Sequence, residues 1–472
     1  METFLSDKSD KKEYCGVFGI FDHQNAREIT YLGLYSLQHR GEESCGIAVS
    51  DGKRIRQHTG MGLVSEVFKN DDKLNGLTGM RAIGHVRYST TGSSILRNAQ
   101  PFMISHNKIS VSIAHNGNLT NAVKLRRKLE DNGAIFQTTM DSEIVLHLLV
   151  RSGKDLFEER LKDALTKCEG AFTMLFLTED KLVGVRDPYG FRPLCLGKKD
   201  GSYVLASETC SLDLIDAEYV RDVAPGEMVI ISEEGLESVK PFGARKPSPC
   251  VFEFIYFSRP DSRIFEDSVL EVRKRLGRKL AAEHPADADI VMSIPDSGNY
   301  AALGYSEQSG LPFEFGMIRN HYIGRTFIQP SQEMRKHGVK IKLNPVKDIL
   351  KGKKVVVVED SIVRGTTTSG RIRALREAGV KEIHMRISCP PIKFPCFYGI
   401  DFPSRKELIA NQLESIDEIA RFIGVDSLKY LSLEGMMDAV CGDKSTFCAA
   451  CFSGRYPTKV RKRSVKEAFD SK

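Results

Sequence analysis

Val355-Val356-Val357-Val358-Glu359-Asp360-Ser361-Ile362-Val363-Arg364-Gly365-Thr366-Thr367-Thr368 reads as a buried strand that ends in two carboxylates and runs through a Gly- and Thr-rich turn into a helix. Four β-branched residues in a row suit a strand covered on both faces, as in parallel sheets. In open α/β sheets ligands bind at the carboxyl ends of the strands, which is where this turn lies. Its backbone N–H groups, running through Ser361, Arg364 and Gly365, together with the hydroxyls of Thr366 and Thr367, suit a phosphate group. Glu359 and Asp360 are placed for sugar hydroxyls or Mg²⁺.

Outward from this run the pattern alternates. A strand is expected at Asp289 to Ile294, a helix after Ser297, the strand Lys354 to Val358, a helix from Ser369 to Glu377 and a strand from Glu382 to Ser388. That order predicts a parallel sheet of doubly wound type. Ile294-Pro295-Asp296-Ser297-Gly298 closes a neighbouring strand, where Asp296, Ser297 and Gly298 can wrap a diphosphate with the Ser297 hydroxyl near the metal. Between the strands lies Arg319-Asn320-His321-Tyr322-Ile323-Gly324-Arg325-Thr326, with more cations at Arg335, Lys336, Lys340 and Lys342. A long basic loop in a compact domain suits a lid that closes over anionic substrate and excludes water. The 355–368 run resembles the phosphoribosyl pyrophosphate (PRPP) signature of the type I phosphoribosyltransferases, which implies PRPP as ligand.

From Gly16 to about Gly243 the pattern is different: short strands at 16–21, 45–50, 82–87, 109–115, 171–177, 181–186, 203–207 and 227–232. Helical spacing appears at Ile29, Leu32, Leu34 and Leu37 and at Ile144, Leu146, Leu148 and Leu149. Stacked antiparallel sheets covered by helices are expected. Pro241 to Pro249, with its Gly, Pro and basic residues, is the expected linker.

This half carries the pieces of an amide-cleaving site. As the first residue of a mature chain, Cys15 would hold a thiol nucleophile beside its own α-amino base, with Met1 to Tyr14 removed. Gly84-His85-Val86-Arg87-Tyr88-Ser89-Thr90 ends a strand with Arg87, whose planar fork fits a carboxylate, and Thr90 is a further substrate contact. Ala114-His115-Asn116-Gly117-Asn118-Leu119 is read as a strand ending in a tight turn, where the Asn116 amide and the Gly117 N–H meet a developing oxyanion. Asp141 opens a helix, as N-cap or as the group that holds a substrate ammonium. Together with Gln38-His39-Arg40-Gly41-Glu42-Glu43-Ser44 and Val185-Arg186-Asp187-Pro188-Tyr189-Gly190-Phe191-Arg192-Pro193-Leu194, the set resembles the class II glutamine amidotransferases. The resemblance implies an N-terminal-nucleophile αββα four-layer sandwich and glutamine as ammonia donor.

Cys448 and Cys451 form a C-x-x-C pair, and Cys250 and Cys396 each follow a proline. Four thiolates suit zinc or an iron–sulfur cluster, spacing does not decide between them, and Cys389 and Cys441 are rival members. The 472 residues exceed what one core usually supports, so two domains are expected. A net charge of +6, 41% hydrophobic and 28% charged residues, and no apolar run of about 18 residues argue against a membrane span. The 11 cysteines are irregularly spaced in a chain with no export signal, which suits a reducing cytoplasm. The basic tail, including Lys459, Arg461, Lys462, Arg463 and Lys466, is read as a solvated end, not a nucleic-acid contact.

The two halves in this order resemble the glutamine PRPP amidotransferases, in particular the branch with a cleaved propeptide and a [4Fe-4S] cluster. The resemblance implies a propeptide 1–14, a glutaminase domain 15–245, a phosphoribosyltransferase domain 246–458 and a tail 459–472. It further implies cluster ligands Cys250, Cys396, Cys448 and Cys451, Mg²⁺, a cytoplasmic homotetramer inhibited by purine nucleotides, and a sheltered path for ammonia. Glu359 stands where that family usually has Asp.

Overall fold

The computed structural model describes residues 15–88, 94–106, 109–320, 343–402, 404–440 and 446–460. The expectations for the propeptide 1–14, Thr90, Cys441, Arg325 with most of the basic loop, and the tail beyond 460 fall outside the described residues.

In the first half the strands are β1 (Gly16–Phe21), β2 (Ser44–Ser50), β3 (Ile55–Met61), β4 (Arg81–Arg87), β5 (Phe102–His106), β6 (Ile109–Leu119) and β7 (Gly170–Leu177). They continue with β8 (Leu182–Arg186), β9 (Cys195–Lys199), β10 (Ser202–Ala206), β11 (Glu218–Asp222), β12 (Met228–Ser232) and β13 (Gly235–Val239). One antiparallel sheet has the order β11-β9-β10-β1-β4-β2-β3, and a second has the order β13-β12-β8-β7-β6-β5.

Alternation along β1 assigns its side chains to two cores. Val17 and Phe21 enter the core between the sheets, where Ala114, Leu175 and Val229 of the second sheet meet them. Phe18 and Ile20 face outward onto Ile29 and Leu34 of α1 (Ala26–Ser36). On the far side, Ile113, Phe172 and Met174 pack beneath α2 (Ala122–Asp131), α3 (Ser142–Val150) and α4 (Phe157–Leu165). The layers are therefore helix, sheet, sheet and helix, as expected. The strands that went unread include all four sheet edges, β3, β5, β11 and β13. An edge facing solvent lacks the apolar alternation that marks a strand.

The expected tight turn at Asn116-Gly117 is not one: β6 runs straight through to Leu119, with Asn116 opposite Thr173 and Gly117 opposite Phe172 of β7. Gly117 has φ +152°, and a Cβ there would stand 2.1 Å from the Ala171 carbonyl oxygen. Gly117→Ala is accordingly expected to cost about 3 kcal/mol or more through strain and overpacking. Urea midpoints measure this, and an unchanged midpoint would contradict it.

In the second half, β14 (Ile290–Ser293), β15 (Lys354–Glu359), β16 (Glu382–Ile387) and β17 (Ser427–Tyr430) form a parallel sheet in that order. The parallel bridge Val291 to Phe313 lays a further segment on the outer side of β14. The order thus reverses between β14 and β15, the switch point of a doubly wound sheet. Helices α5 (Val269–Glu283), α6 (Asn299–Ser309) and α7 (Thr366–Glu377) cover it, and α7 starts three residues earlier than expected. Gly243 to Pro247 are exposed, between β13 and this half.

Candidate functional site

Cys15 leads directly into β1, so alternation puts it on the same side as Val17, between the sheets. Arg87 shares that side with Ile83 on β4, and Asn116 shares it with Ala114 on β6. The sequence-predicted nucleophile, carboxylate clamp and oxyanion donor are thus brought to one end of the inter-sheet core. The Cys15 sulfur donates to the Tyr88 carbonyl at 3.5 Å. Burial pushes its thiol up to about 11, with the Arg87 guanidinium pulling the other way. Such a thiol is protonated near neutrality and needs a base to become a nucleophile.

Asn116 is fully buried, and among the described residues neither its amide nitrogen nor its amide oxygen has a hydrogen-bond partner. A buried amide left unpaired costs about 1–3 kcal/mol, so a ligand that paired with it would relieve that cost. The strand around it is braced. Phe172 spends its N–H and carbonyl on Asp187, on the β8 side. By alternation the odd residues of β6 then point their N–H groups away from β7. The His115 N–H goes to the Gln100 side chain at 2.8 Å and the Leu119 N–H to the Asp141 carboxylate at 2.8 Å. Between these two anchors the Gly117 N–H points the same way.

Asp141 precedes α3 but makes no side-chain cap bond to it. Its second oxygen lies 3.3 Å from His115 Nδ1. Burial pushes this carboxyl up, but His115 and the Leu119 N–H outweigh it and hold the group below its usual range. Of the two expected roles the side-chain cap is not made, and the carboxylate braces β6. Gln100 lay outside every quoted motif and was missed, and His115 was quoted beside Asn116 without this role.

Beneath Cys15 lies a buried charge network that sequence reasoning also missed. The Arg40 Nε donates to the Cys15 carbonyl at 3.1 Å, and its other nitrogens reach Glu208 and Glu253. Arg192 joins Glu253 at 3.0 Å, and all four side chains are fully buried. His39 also pairs with Glu208, at 2.9 Å. Burial pushes both carboxyls up, but His39 and Arg40 at Glu208, and Arg40 and Arg192 at Glu253, pull them below the usual range. With folded values below an unfolded value of about 4.3, these groups add stability above that pH and lose it as pH falls through the folded values. Denaturant midpoints should therefore hold down to about pH 5 and fall below about pH 4. A midpoint flat to about pH 3 would show the network adds nothing.

At the other site β14 and β15 end side by side. The Ser297 hydroxyl donates to Asp360 Oδ1 at 2.6 Å and the Ser361 hydroxyl to Oδ2 at 2.6 Å, linking the two strand-end loops. Asp296 bonds Arg319 at 2.5 Å. A Cβ on Gly298 would stand 2.6 Å from the Val358 carbonyl, so glycine lets the loop lie against β15. Gly365 takes φ +78° as the N-cap of α7, whose first turn carries Thr366 and Thr367. Arg364 bonds Glu407 at 3.0 Å. Glu359 turns to Arg371 at 2.6 Å and to the Thr368 hydroxyl at 3.4 Å, two contacts the sequence did not suggest.

Cys250, Cys396, Cys448 and Cys451 come from three separate segments yet share one neighbourhood: Cys250, Cys396 and Cys448 all push the Cys451 thiol up, and Cys396 does the same to Cys250 and Cys448. Burial pushes all four thiols up, and Arg192 pulls Cys250, Cys396 and Cys448 down. Cys250 and Cys448 are bridge partners. Cys389, a rival member, is buried beside Cys451, and its sulfur donates to the Pro390 carbonyl at 3.3 Å. Among the described residues no three His, Cys, Asp or Glu side chains converge closely enough to hold a single metal ion.

A family model described as a glutamine amidotransferase domain matches residues 85–213. The chain is 53% identical over 467 residues to amidophosphoribosyltransferase 1, chloroplastic, of Arabidopsis thaliana, covering 98% of this chain and 82% of the relative. It is 47% identical over 470 residues to the amidophosphoribosyltransferase of Bacillus subtilis (strain 168), covering 98% of each. The structure of glutamine phosphoribosylpyrophosphate (PRPP) amidotransferase from B. subtilis complexed with ADP and GMP matches with a TM-score of 0.91 at 47% identity, covering 96% of this chain and 99% of that one.

Proposed function

The chain belongs to the amidophosphoribosyltransferase family, and from that premise we propose which of its residues carry each step. The reaction takes ammonia from glutamine and transfers it to PRPP, giving 5-phosphoribosylamine, glutamate and pyrophosphate in purine biosynthesis. The observation that carries the assignment is the buried Asn116 amide, unpaired and on the same inter-sheet side as Cys15 and Arg87.

Cys15 attacks the glutamine amide carbon, with the α-amino group freed by removal of residues 1–14 taking the thiol proton. The high thiol pKa of the intact chain supports the need for that base. Asn116 and the Gly117 N–H receive the oxyanion, and ammonia leaves before water hydrolyses the thioester. Arg87, with Thr90, holds the substrate carboxylate. Both Asp141 oxygens already have partners, yet a carboxylate offers about four lone-pair sites, which leaves room for the substrate ammonium.

In the second half the turn from Ser361 to Thr367 cradles the 5'-phosphate, Asp296 to Gly298 hold the diphosphate, and Arg325 belongs to the lid. Asp360, Glu359 and Ser297 are the oxygen donors that suit Mg²⁺. Bound there, the ion would offset charge on the departing pyrophosphate. The longer Glu359, paired with Arg371, shifts the contact with the ribose relative to an Asp. Ammonia reaches this site along a path closed to solvent. Cys250, Cys396, Cys448 and Cys451, buried thiols brought from three segments into one neighbourhood, would hold the [4Fe-4S] cluster that the family resemblance implies. A domain division at 245/246, a homotetramer, purine-nucleotide inhibition and a reducing cytoplasm complete the proposal. The relative solved with ADP and GMP, and ten described cysteines of which none is in a disulfide, support the last two.

The test uses the full chain with glutamine, PRPP and Mg²⁺. Glutamate and pyrophosphate should appear in equal amounts with little free ammonia, the intact mass should begin at Cys15, and the protein should absorb visible light. A chain that keeps residues 1–14 yet consumes glutamine would sink the nucleophile assignment.

A further inference from the structure

The geometry points to Arg192 as a positioning residue for glutamine cleavage, tying groups of the PRPP-binding half to both the nucleophile and the oxyanion strand. The inference rests on the reading of Cys15, Asn116 and Gly117 as the cleaving groups. Two paths leave its guanidinium. Along the first, Nη1 donates to Glu253 at 3.0 Å; Glu253 accepts from Arg40 at 3.0 and 3.1 Å, and Arg40 Nε donates to the Cys15 carbonyl at 3.1 Å. Along the second, Nη2 donates to the Tyr398 carbonyl at 2.7 Å.

The residues on either side of Tyr398 touch the oxyanion strand. The Phe397 carbonyl accepts from the Asn118 amide at 2.9 Å. A Cβ on Gly399 would stand 3.3 Å from the Gly117 carbonyl carbon, so the two glycines lie backbone to backbone. The Phe191 ring stacks on Tyr398 at 4.1 Å and fixes the segment from the other side. Arg192 is itself anchored, since its carbonyl accepts from Arg186 at 2.8 Å and from the Thr173 hydroxyl at 3.3 Å. Thr173 is the β7 partner of Asn116.

A buried ion pair adds little net stability over apolar packing, so stability alone does not account for four charged side chains at this junction. What they do is hold two first-half groups, the Cys15 carbonyl and the Gly117 backbone, in a fixed relation through second-half atoms. A planar, five-donor guanidinium can serve two directions at once, which an ammonium cannot do with the same geometry.

The test measures Arg192→Gln in the full chain. Glutamine-dependent kcat should fall by about tenfold to a hundredfold, with the glutamine KM within about threefold and the ammonia-dependent rate within about twofold. The rate at which a diazoketone glutamine analogue labels Cys15 should fall with kcat. Should this variant fail to fold, Asn118→Ala, which removes the Phe397 bond, should give the same split at about threefold to tenfold. Equal fractional loss of both reactions, or loss of neither in folded protein, overturns the inference. Cys15→Ala, run alongside, separates the two failures. Retained glutamine use there rejects the cleaving groups themselves, whereas its loss with Arg192→Gln unaffected rejects only the role of Arg192.

Discussion

Cys15→Ala should lower glutamine-dependent phosphoribosylamine formation by about 10⁴-fold or more while leaving the ammonia-dependent rate within about twofold. The split follows from where the residue sits. Its sulfur is buried between the two antiparallel sheets of the first half, whereas the groups proposed for PRPP end β14 and β15 of the second half. Ammonia supplied from solution at alkaline pH bypasses the first site and meets the second one intact. Removing the nucleophile of a unit that acts together costs nearly as much as removing the whole unit, which sets the size of the effect. The fold should survive, because alanine replaces a small buried side chain whose one hydrogen bond, to the Tyr88 carbonyl, is long. The same variant tests leader removal: if the Cys15 thiol drives that cleavage, the intact mass of Cys15→Ala retains residues 1–14. Glutamine-dependent and ammonia-dependent rates, measured on one preparation, decide the matter, and equal loss of both would place Cys15 in a structural role.

The residues that were legible in the sequence are those whose chemistry is local. The run from Val355 to Thr368 shows strand, turn and helix within fourteen neighbours, so the phosphate cradle proposed there needs no tertiary knowledge. Cys15 leads into β1, Arg87 closes β4 and Asn116 lies within β6, and alternation alone carries them to one side. What stayed hidden depends on pairing across the fold. Glu253 did leave a trace, as the single charge within Cys250-Val251-Phe252-Glu253-Phe254-Ile255-Tyr256-Phe257. A lone carboxylate in such a run must be buried and paired, but its partners Arg40 and Arg192 lie 213 and 61 residues away. Gln100 accepts from the His115 N–H of β6 and the His115 ring pairs with Asp141, roles that any polar side chain of the right reach could fill. The turn expected at Asn116-Gly117 failed for a related reason: Asn-Gly suits a hairpin, and only the β7 partner shows that the strand continues.

Asn116→Ala should reduce glutamine-dependent kcat by about 10²- to 10³-fold, the usual loss on removing one oxyanion donor, with a much smaller change in the glutamine KM. The argument starts from cost. An amide buried without any partner is unfavourable in the resting protein, and the substitution removes that penalty, so Asn116→Ala should be at least as stable as the parent chain. Stability and activity then move in opposite directions, which a residue kept only for packing cannot produce. The Gly117 N–H remains, because its direction is set by the backbone anchors at Gln100 and Asp141, and it supports residual cleavage above the Cys15→Ala level. Asn116→Asp provides the sharper contrast. A carboxylate in the same place would repel the developing oxyanion and the Cys15 thiolate, and burial would raise its pKa above the usual carboxyl range, so its activity should fall below that of the alanine variant as pH rises through that raised value and the group ionises. Kinetics over pH 5 to 8 with thermal denaturation of both variants would read this, and an alanine variant that loses stability while keeping kcat would remove Asn116 from the oxyanion hole.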